Sequence, residues 1–174
     1  MEQPTIETER LLLRPFSVED ANVVQQLAGK RKVSDTTMNI PHPYTDGMAE
    51  SWISTHPSNW ENRTGVTYAI TIKDSKELIG TVSLSKINGA QSELGYWVGI
   101  PFWNMGYCSE AASALIEFAS RTIGITSVRA VHLTSNPASG RVLQKLGMRH
   151  VEKSQTPDRN GLMAGIEIYE TTST

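Results

Sequence analysis

The sequence predicts a mixed α/β fold in which helices cover an open sheet, and two observations carry that prediction. Apolar residues alternate with period two in three successive segments, at 67–72, 77–84 and 92–99. From Tyr107 the period becomes helical, with Tyr107, Ala111, Leu115, Phe118 and Ala119 on one face until near Gly124. No repeat, low-complexity tract or linker divides the chain. Its 174 residues, 39% hydrophobic and 20% charged, therefore predict one domain over 1–174, large enough to bury a core around a sheet.

The first strand is expected from Glu9 to Phe16, a short apolar run stopped by Pro15. A helix follows, because Ser17 and Asp20 have capping-box spacing and Val18, Ala21, Val24, Leu27 and Ala28 recur at helical intervals until Gly29. Residues 31–46, with Pro41 and Pro43 and no sustained period, read as a loop or a broken short helix. Thr45 to Thr55 predicts a second helix that ends before Pro57. The three alternating segments after it are expected to pair antiparallel. Beyond the helix at Tyr107, a strand is predicted from Ser127 to Thr134 and a helix from Pro137 to Gly147, with Asn136 as its N-cap. Two last strands, 148–155 and 163–170, flank the turn PDRNG at 157–161. That makes about seven strands and about four helices.

Charge and cysteine content exclude several function classes. A formal net charge of -2 argues against a broad nucleic-acid footprint, which needs an excess of Lys and Arg on one face. Cys108 is the single cysteine, so no intrachain disulfide forms and no zinc site draws on several thiolates. His42, His56 and His150 lack metal-ligand spacing, and His132, inside an apolar strand, reads as a core histidine, so no metal is expected. No run of ~20 apolar residues is present to span a membrane. A soluble cytoplasmic protein is expected.

The most informative stretch is GYWVGIPFWNMGYCSEAASALIEFA, Gly95 to Ala119, which couples a strand through a glycine-containing turn to an amphipathic helix. Unpaired N–H groups and partial positive charge at a helix N-terminus make an anion site suited to a pyrophosphate. Gly106 lets the backbone approach a phosphate closely, although an ordinary turn glycine accounts for it equally well on local pattern.

Within this stretch, FWNMGYCSEA resembles the coenzyme-A-binding motif of GNAT acetyltransferases, Arg/Gln-x-x-Gly-x-Gly/Ala, and especially the WGKGYATEA version of the RimJ/RimL-like branch. Trp103 takes the first position and Gly106 the glycine. Asn104 stands where that branch has glycine, Met105 where it has lysine and Cys108 where it has alanine or glycine, so the backbone cradle is kept and a cation is lost. The resemblance extends over nearly the whole chain, through TERLLLRPFSVEDA, PHPYTDGMAESWI, LIGTVSL and NPASGRVLQKLGM. It implies the GNAT fold, with a mixed, mostly antiparallel sheet, and acetyl-CoA as cosubstrate. It further implies that the backbone of Trp97, Val98 and Gly99 pairs with the pantetheine arm. The turn Trp103, Asn104, Met105, Gly106, Tyr107, Cys108 and Ser109 would hold the pyrophosphate, Asn136 would bond the arm, and Ser139 would lie near the sulfur.

Acetyl transfer to an amine needs a neutral amine, a polarised thioester carbonyl and a proton for the departing thiolate. The family's usual route is direct attack, so the chemistry calls for a base and an acid. Glu93 is the candidate base, on one strand face with Gly95 and Trp97; a solvated glutamate or a partner for Lys or Arg is its alternative. The demand on a base is modest for an α-amine, of which roughly one in ten is already neutral at pH 7, against about one lysine side chain in a few thousand. Ser139 is the candidate proton donor, with an ordinary early-helix serine as its alternative. Tyr107 is a second possible donor by type, and its spacing also suits the core. Cys108, at a helix N-terminus where a thiol pKa can fall, permits an acetyl-cysteine route; a small residue facing the cofactor explains the position as well. Glu110 is expected to complement the helix dipole.

Asp35, His42, Tyr44, Trp52 and the PDRNG turn are the candidates for an acceptor pocket, since loops on a rigid scaffold set specificity. The expected partner is an amine acceptor, either a protein N-terminus, such as that of a ribosomal protein, or a small molecule, with no nucleic acid and no membrane. A non-catalytic acyl-CoA-binding sensor or regulatory module is the alternative. The chain is expected to be a monomer or a homodimer.

Overall fold

A computed structural model describes residues 2–171. Eight strands form one sheet in the order β1-β2-β3-β4-β5-β6-β8-β7. They are β1 (Ile6–Glu7), β2 (Leu11–Arg14), β3 (Val66–Ile72), β4 (Leu78–Asn88), β5 (Gln91–Val98), β6 (Ser127–Leu133), β7 (Arg149–Pro157) and β8 (Met163–Glu170). Every neighbouring pair is antiparallel except β5 and β6. The strand expected at 9–16 is shorter than its apolar run and gains β1 as a partner. Thr8 makes the turn between them: its hydroxyl oxygen accepts the Leu11 N–H at 2.9 Å.

Six α-helical segments accompany the sheet among the described residues: α1 (Ala21–Ala28), α2 (Arg31–Asp35), α3 (Met48–Ser54), α4 (His56–Glu61), α5 (Tyr107–Phe118) and α6 (Pro137–Lys145). One of these, α4, exceeds the sequence expectation, and α2 settles an open alternative. Of the loop or broken short helix expected at 31–46, the short helix forms as α2, because Val33 is buried and the Ser34 hydroxyl donates to the Ile40 carbonyl at 2.8 Å, so tertiary contacts support weak local propensity. Pro57 opens α4 instead of only closing α3: at the first helical turn its missing N–H removes a donor that has no partner there anyway.

Alternation along the central strands sorts the core onto two faces. Tyr68, Ile70, Ile79 and Val82 are fully buried on one face, where Ala111, Ala112 and Leu115 of α5 pack on them. Ala69 and Leu78 face the other way, toward Ala21 and Val24 of α1 and Ala49 and Ile53 of α3. The α6 helix lies beside α5 and packs on β6. No helix of the described residues is long and apolar enough to cross a membrane.

The sheet opens at its one parallel junction. Residues Gln91–Leu94 of β5 pair with Ser127–Ala130 of β6, and the pairing stops there. Beyond it Gly95 to Val98 pair only with β4, and Val131 to Leu133 only with β8. The two strands splay, leaving a slot between their C-terminal ends.

The entry into α1 is held by charge. Arg14 makes two parallel bonds to Asp20, both of 2.8 Å, and the Asp20 carboxylate also accepts the Ser17 N–H at 2.9 Å, in the capping-box position the spacing predicts. Burial opposes ionisation of Asp20, yet Arg14 and the Ser17 N–H outweigh it and hold this carboxyl below its ordinary range. A carboxyl with a lowered folded pKa stabilises the fold above the unfolded value, and that contribution is lost as pH falls through the folded value. Asp20→Asn should therefore cost about 2 kcal/mol at neutral pH, read by urea unfolding, and the gap to wild type should close as the pH falls below the ordinary carboxylate range.

Candidate active site

A cleft of about 1120 Å³ passes through the slot between β5 and β6 and is lined from both faces of the sheet. On the α5 face it meets the turn 103–109 and one side of α6; on the other it meets α1, α3 and the loop 36–47. Every cofactor residue proposed from sequence lines it except Gly99 and Met105, and Glu93 and Ser139 line it too.

The turn is built by backbone conformations that the sequence supports. Gly106 sits at φ 79° and is the N-cap of α5, and a Cβ there would lie 3.3 Å from the Arg10 guanidinium. Asn104 stands at φ 61°, a left-handed conformation that asparagine accepts more readily than most residues. The asparagine-for-glycine departure thus keeps the backbone path. Trp103 is anchored by its indole N–H, which donates to the Val98 carbonyl at 2.8 Å. Tyr107, Cys108 and Ser109 begin α5, so their N–H groups have no intrahelical acceptor and stand at the positive end of the helix dipole.

Arg10 braces this turn from β2's leading edge. Its guanidinium donates to the Met105 carbonyl at 2.8 Å and to Glu110 at 2.7 Å, and lies 4.5 Å over the Tyr107 ring. Glu110 also accepts the Arg10 N–H at 2.8 Å and the Thr8 hydroxyl at 2.6 Å. Burial works against its charge, but these donors prevail and lower its pKa. Glu110 is therefore more than a complement to the helix dipole: it ties the β1–β2 turn to α5. Met105 itself is half exposed and adds no charge.

Ladder geometry decides which backbone groups face the slot. The Gly99 N–H is taken by the Ile79 carbonyl at 2.8 Å, so Gly99 and Trp97 direct their polar groups to β4. Tyr96 and Val98, in the alternate pairs, turn theirs toward β6 where no strand answers. Of the three residues expected to offer backbone to the arm, Val98 alone turns its polar groups to the slot, and its carbonyl is engaged by Trp103.

Tyr96 is a residue the sequence reading passed over. Its hydroxyl lies 2.9 Å from the Ser139 Oγ and donates to the Ser139 carbonyl at 3.1 Å, crossing the slot from β5 to α6. Burial pushes its phenol well above the ordinary tyrosine value, so it stays protonated. The signal available in the sequence was its alternation: Tyr96 falls on the opposite face from Glu93 and Trp97, toward α5 and α6.

Asn136 occupies the N-cap position of α6 but makes no side-chain cap. Its amide donates instead to the Thr36 carbonyl at 3.2 Å, joining α6 to the loop after α2. His132 is buried as the strand pattern predicts, with Nδ1 2.8 Å from the Leu133 carbonyl. Its Nε2 faces Gly140, where a Cβ would stand 2.8 Å away, so only glycine lets α6 pack this closely on β6. Cys108 lines the cleft at the start of α5, yet burial pushes its thiol up to about 12, against the lowering that a helix N-terminus alone would give.

Glu93 lies at the cleft with its carboxylate 2.9 and 3.1 Å from the Lys86 ammonium. On the acceptor side Tyr44 and Trp52 line the cleft. Asp35 and residues Asp158, Arg159 and Asn160 of the β7–β8 turn line a separate cavity of about 530 Å³ that shares Thr37, Met38 and Leu133 with it. His42 lines neither.

Residues 10–149 match the family model described as an acetyltransferase (GNAT) domain. Over 148 residues the chain is 28% identical to the uncharacterized N-acetyltransferase YoaA of Bacillus subtilis (strain 168), covering 84% of this chain and 83% of that protein. Among solved structures, RimL, the ribosomal L7/L12 α-N-protein acetyltransferase in complex with coenzyme A, superposes with a TM-score of 0.86 at 19% identity over 96% of this chain and 97% of its own. The microcin C7 self-immunity acetyltransferase MccE, in complex with acetyl-CoA and AMP, does so at 0.84 and 18% over 95% and 93%. These two share the fold. With the family model covering most of its length, the chain belongs to the GNAT acetyltransferases.

Proposed function

We propose that the protein transfers the acetyl group of acetyl-CoA directly to a primary amine, with the thioester lying in the β5–β6 slot. The observation that carries this reading is convergence: the left-handed turn at 104–106, the free N–H groups of α5 and the Tyr96–Ser139 pair all open on one cleft. The cradle suits a pyrophosphate by backbone alone. Arg141 and Lys145 on the cleft side of α6 add positive charge that Met105 does not.

The amine nitrogen attacks the thioester carbonyl, the new C–N bond forms, and the C–S bond breaks. Glu93, acting through water, takes the proton from the nitrogen. The departing thiolate takes a proton from the Ser139 hydroxyl, which solvent reprotonates, while Tyr96, kept protonated by burial, positions Ser139 through its bonds to it. The acceptor is a protein N-terminal α-amine or a small-molecule amine; RimL acts on the first kind. A covalent route through Cys108 is disfavoured by burial, which pushes the thiol up to about 12 and keeps it protonated at neutral pH.

Release of free thiol from acetyl-CoA, measured against a panel of amines and N-terminal peptides, tests the reading; tight CoA binding with no turnover on any of them would instead mark a sensor. Ser139→Ala should lower kcat about 10²-fold, Tyr96→Phe by less, and Glu93→Gln about tenfold or more, with acetyl-CoA binding little changed by titration calorimetry. Wild-type rates in all three would remove these assignments. Cys108 should react with iodoacetamide at pH 7 at least about 100-fold more slowly than free cysteine, followed by mass spectrometry, and its rate should climb with pH well past 9.

A further inference from the structure

The two sides of the cleft carry opposite charge. On the side of α6 its charged lining residues are Arg141 and Lys145. On the side of α1, α3 and the loop 36–47 they are Asp46 and Glu93, the latter paired with Lys86 at 2.9 Å, so Asp46 carries the unpaired negative charge of that lining. The rest of that side is uncharged: Thr37, Asn39 and Ser51 line it beside Met38 and Ile40, with Tyr44 and Trp52 as its aromatic walls.

Trp52 is held rigidly. It meets Phe16 edge-on at 5.1 Å and His56 at 4.4 Å, and His56 is 6% exposed with neither ring nitrogen bonded. Burial drives the His56 pKa down to about 4, so the ring behind Trp52 is neutral at working pH. Tyr44 also stays neutral, its phenol raised by burial and by Glu50. The Asp46 carboxylate meets the Gln25 amide at 2.8 Å, a neutral partner that leaves its negative charge uncompensated. Such a surface attracts an ammonium through the carboxylate and the faces of the rings, and repels a carboxylate or phosphate brought beside Asp46.

We infer that the acceptor is a primary amine carried on an aromatic or large apolar body with no anionic group, the body lying against Trp52 and Tyr44 and the positive charge drawn by Asp46. This inference rests on the acetyl-transfer reading above. It excludes amino acids with a free carboxylate next to the amine and N-termini followed by acidic residues.

Initial rates of thiol release at saturating acetyl-CoA, normalised to the neutral fraction of each amine, test it with three probes: phenylalaninamide, phenylalanine and glycinamide. Phenylalaninamide should exceed both others at least tenfold in kcat/KM. Asp46→Asn should narrow the gap between phenylalaninamide and phenylalanine severalfold, and Trp52→Leu should raise KM for phenylalaninamide far more than for glycinamide. The wild-type comparison stands even where a variant fails to fold. Equal use of phenylalanine and phenylalaninamide, or of glycinamide and phenylalaninamide, overturns the inference and leaves acetyl transfer intact. Absence of thiol release with every amine, including phenethylamine and a phenylalanyl-glycyl-glycinamide peptide, overturns both. A preference between those last two distinguishes a free amine from a peptide N-terminus within the same chemistry.

Discussion

The interruption of pairing between β5 and β6 is the constraint on which the site depends. Two parallel strands that stop exchanging hydrogen bonds after Leu94 and Ala130 must diverge, and divergence leaves backbone polar groups of Tyr96 and Val98 without strand partners. Such groups inside a sheet cost free energy unless something answers them. The cleft through the slot supplies room for that answer, and the two helices that follow β5 and β6 deliver α5's N-terminus and Ser139 to the same place.

Around the slot, a few polar links hold the catalytic elements in register. Glu110 binds the β1–β2 turn to α5 through Thr8 and Arg10, while Arg10 reaches on to the Met105 carbonyl. Asn136 links α6 to the loop after α2, and Tyr96 links β5 to α6. The turn 103–109 is thus braced from the sheet edge, the loop after α2 from α6, and Ser139 from β5. Each link joins residues distant in sequence, so each reports on assembled geometry.

Charge on the cleft has a direction. Cations lie along α6 and the dipole of α5 points its positive end inward, whereas Asp46 and Glu93 mark the opposite side. On the proposed reading, a polyanionic donor and a cationic acceptor would be drawn to different ends of one passage. Neutral His56, buried behind Trp52, and neutral Tyr44 add no charge to that wall, and Glu93 is paired with Lys86.

The amino-acid sequence by itself determined the elements and their order, because period-two and helical spacing, capping signals and the motif from Trp103 to Ser109 are local properties of the chain. The central strands, α1, α5 and α6 lie close to where periodicity predicts them, and Gly106 is left-handed as its turn requires. The α4 helix escaped notice and periodicity leaves α2 between loop and short helix, because they depend on burial of His56 and Val33 more than on pattern. Tertiary structure alone decided what the side chains do. It gave Asn136 a partner in Thr36 in place of its own helix, paired Glu93 with Lys86, raised the Cys108 thiol by burial, and brought Tyr96 to Ser139 across 43 positions. Those outcomes turn on distances between elements and on desolvation, neither of which a linear pattern encodes.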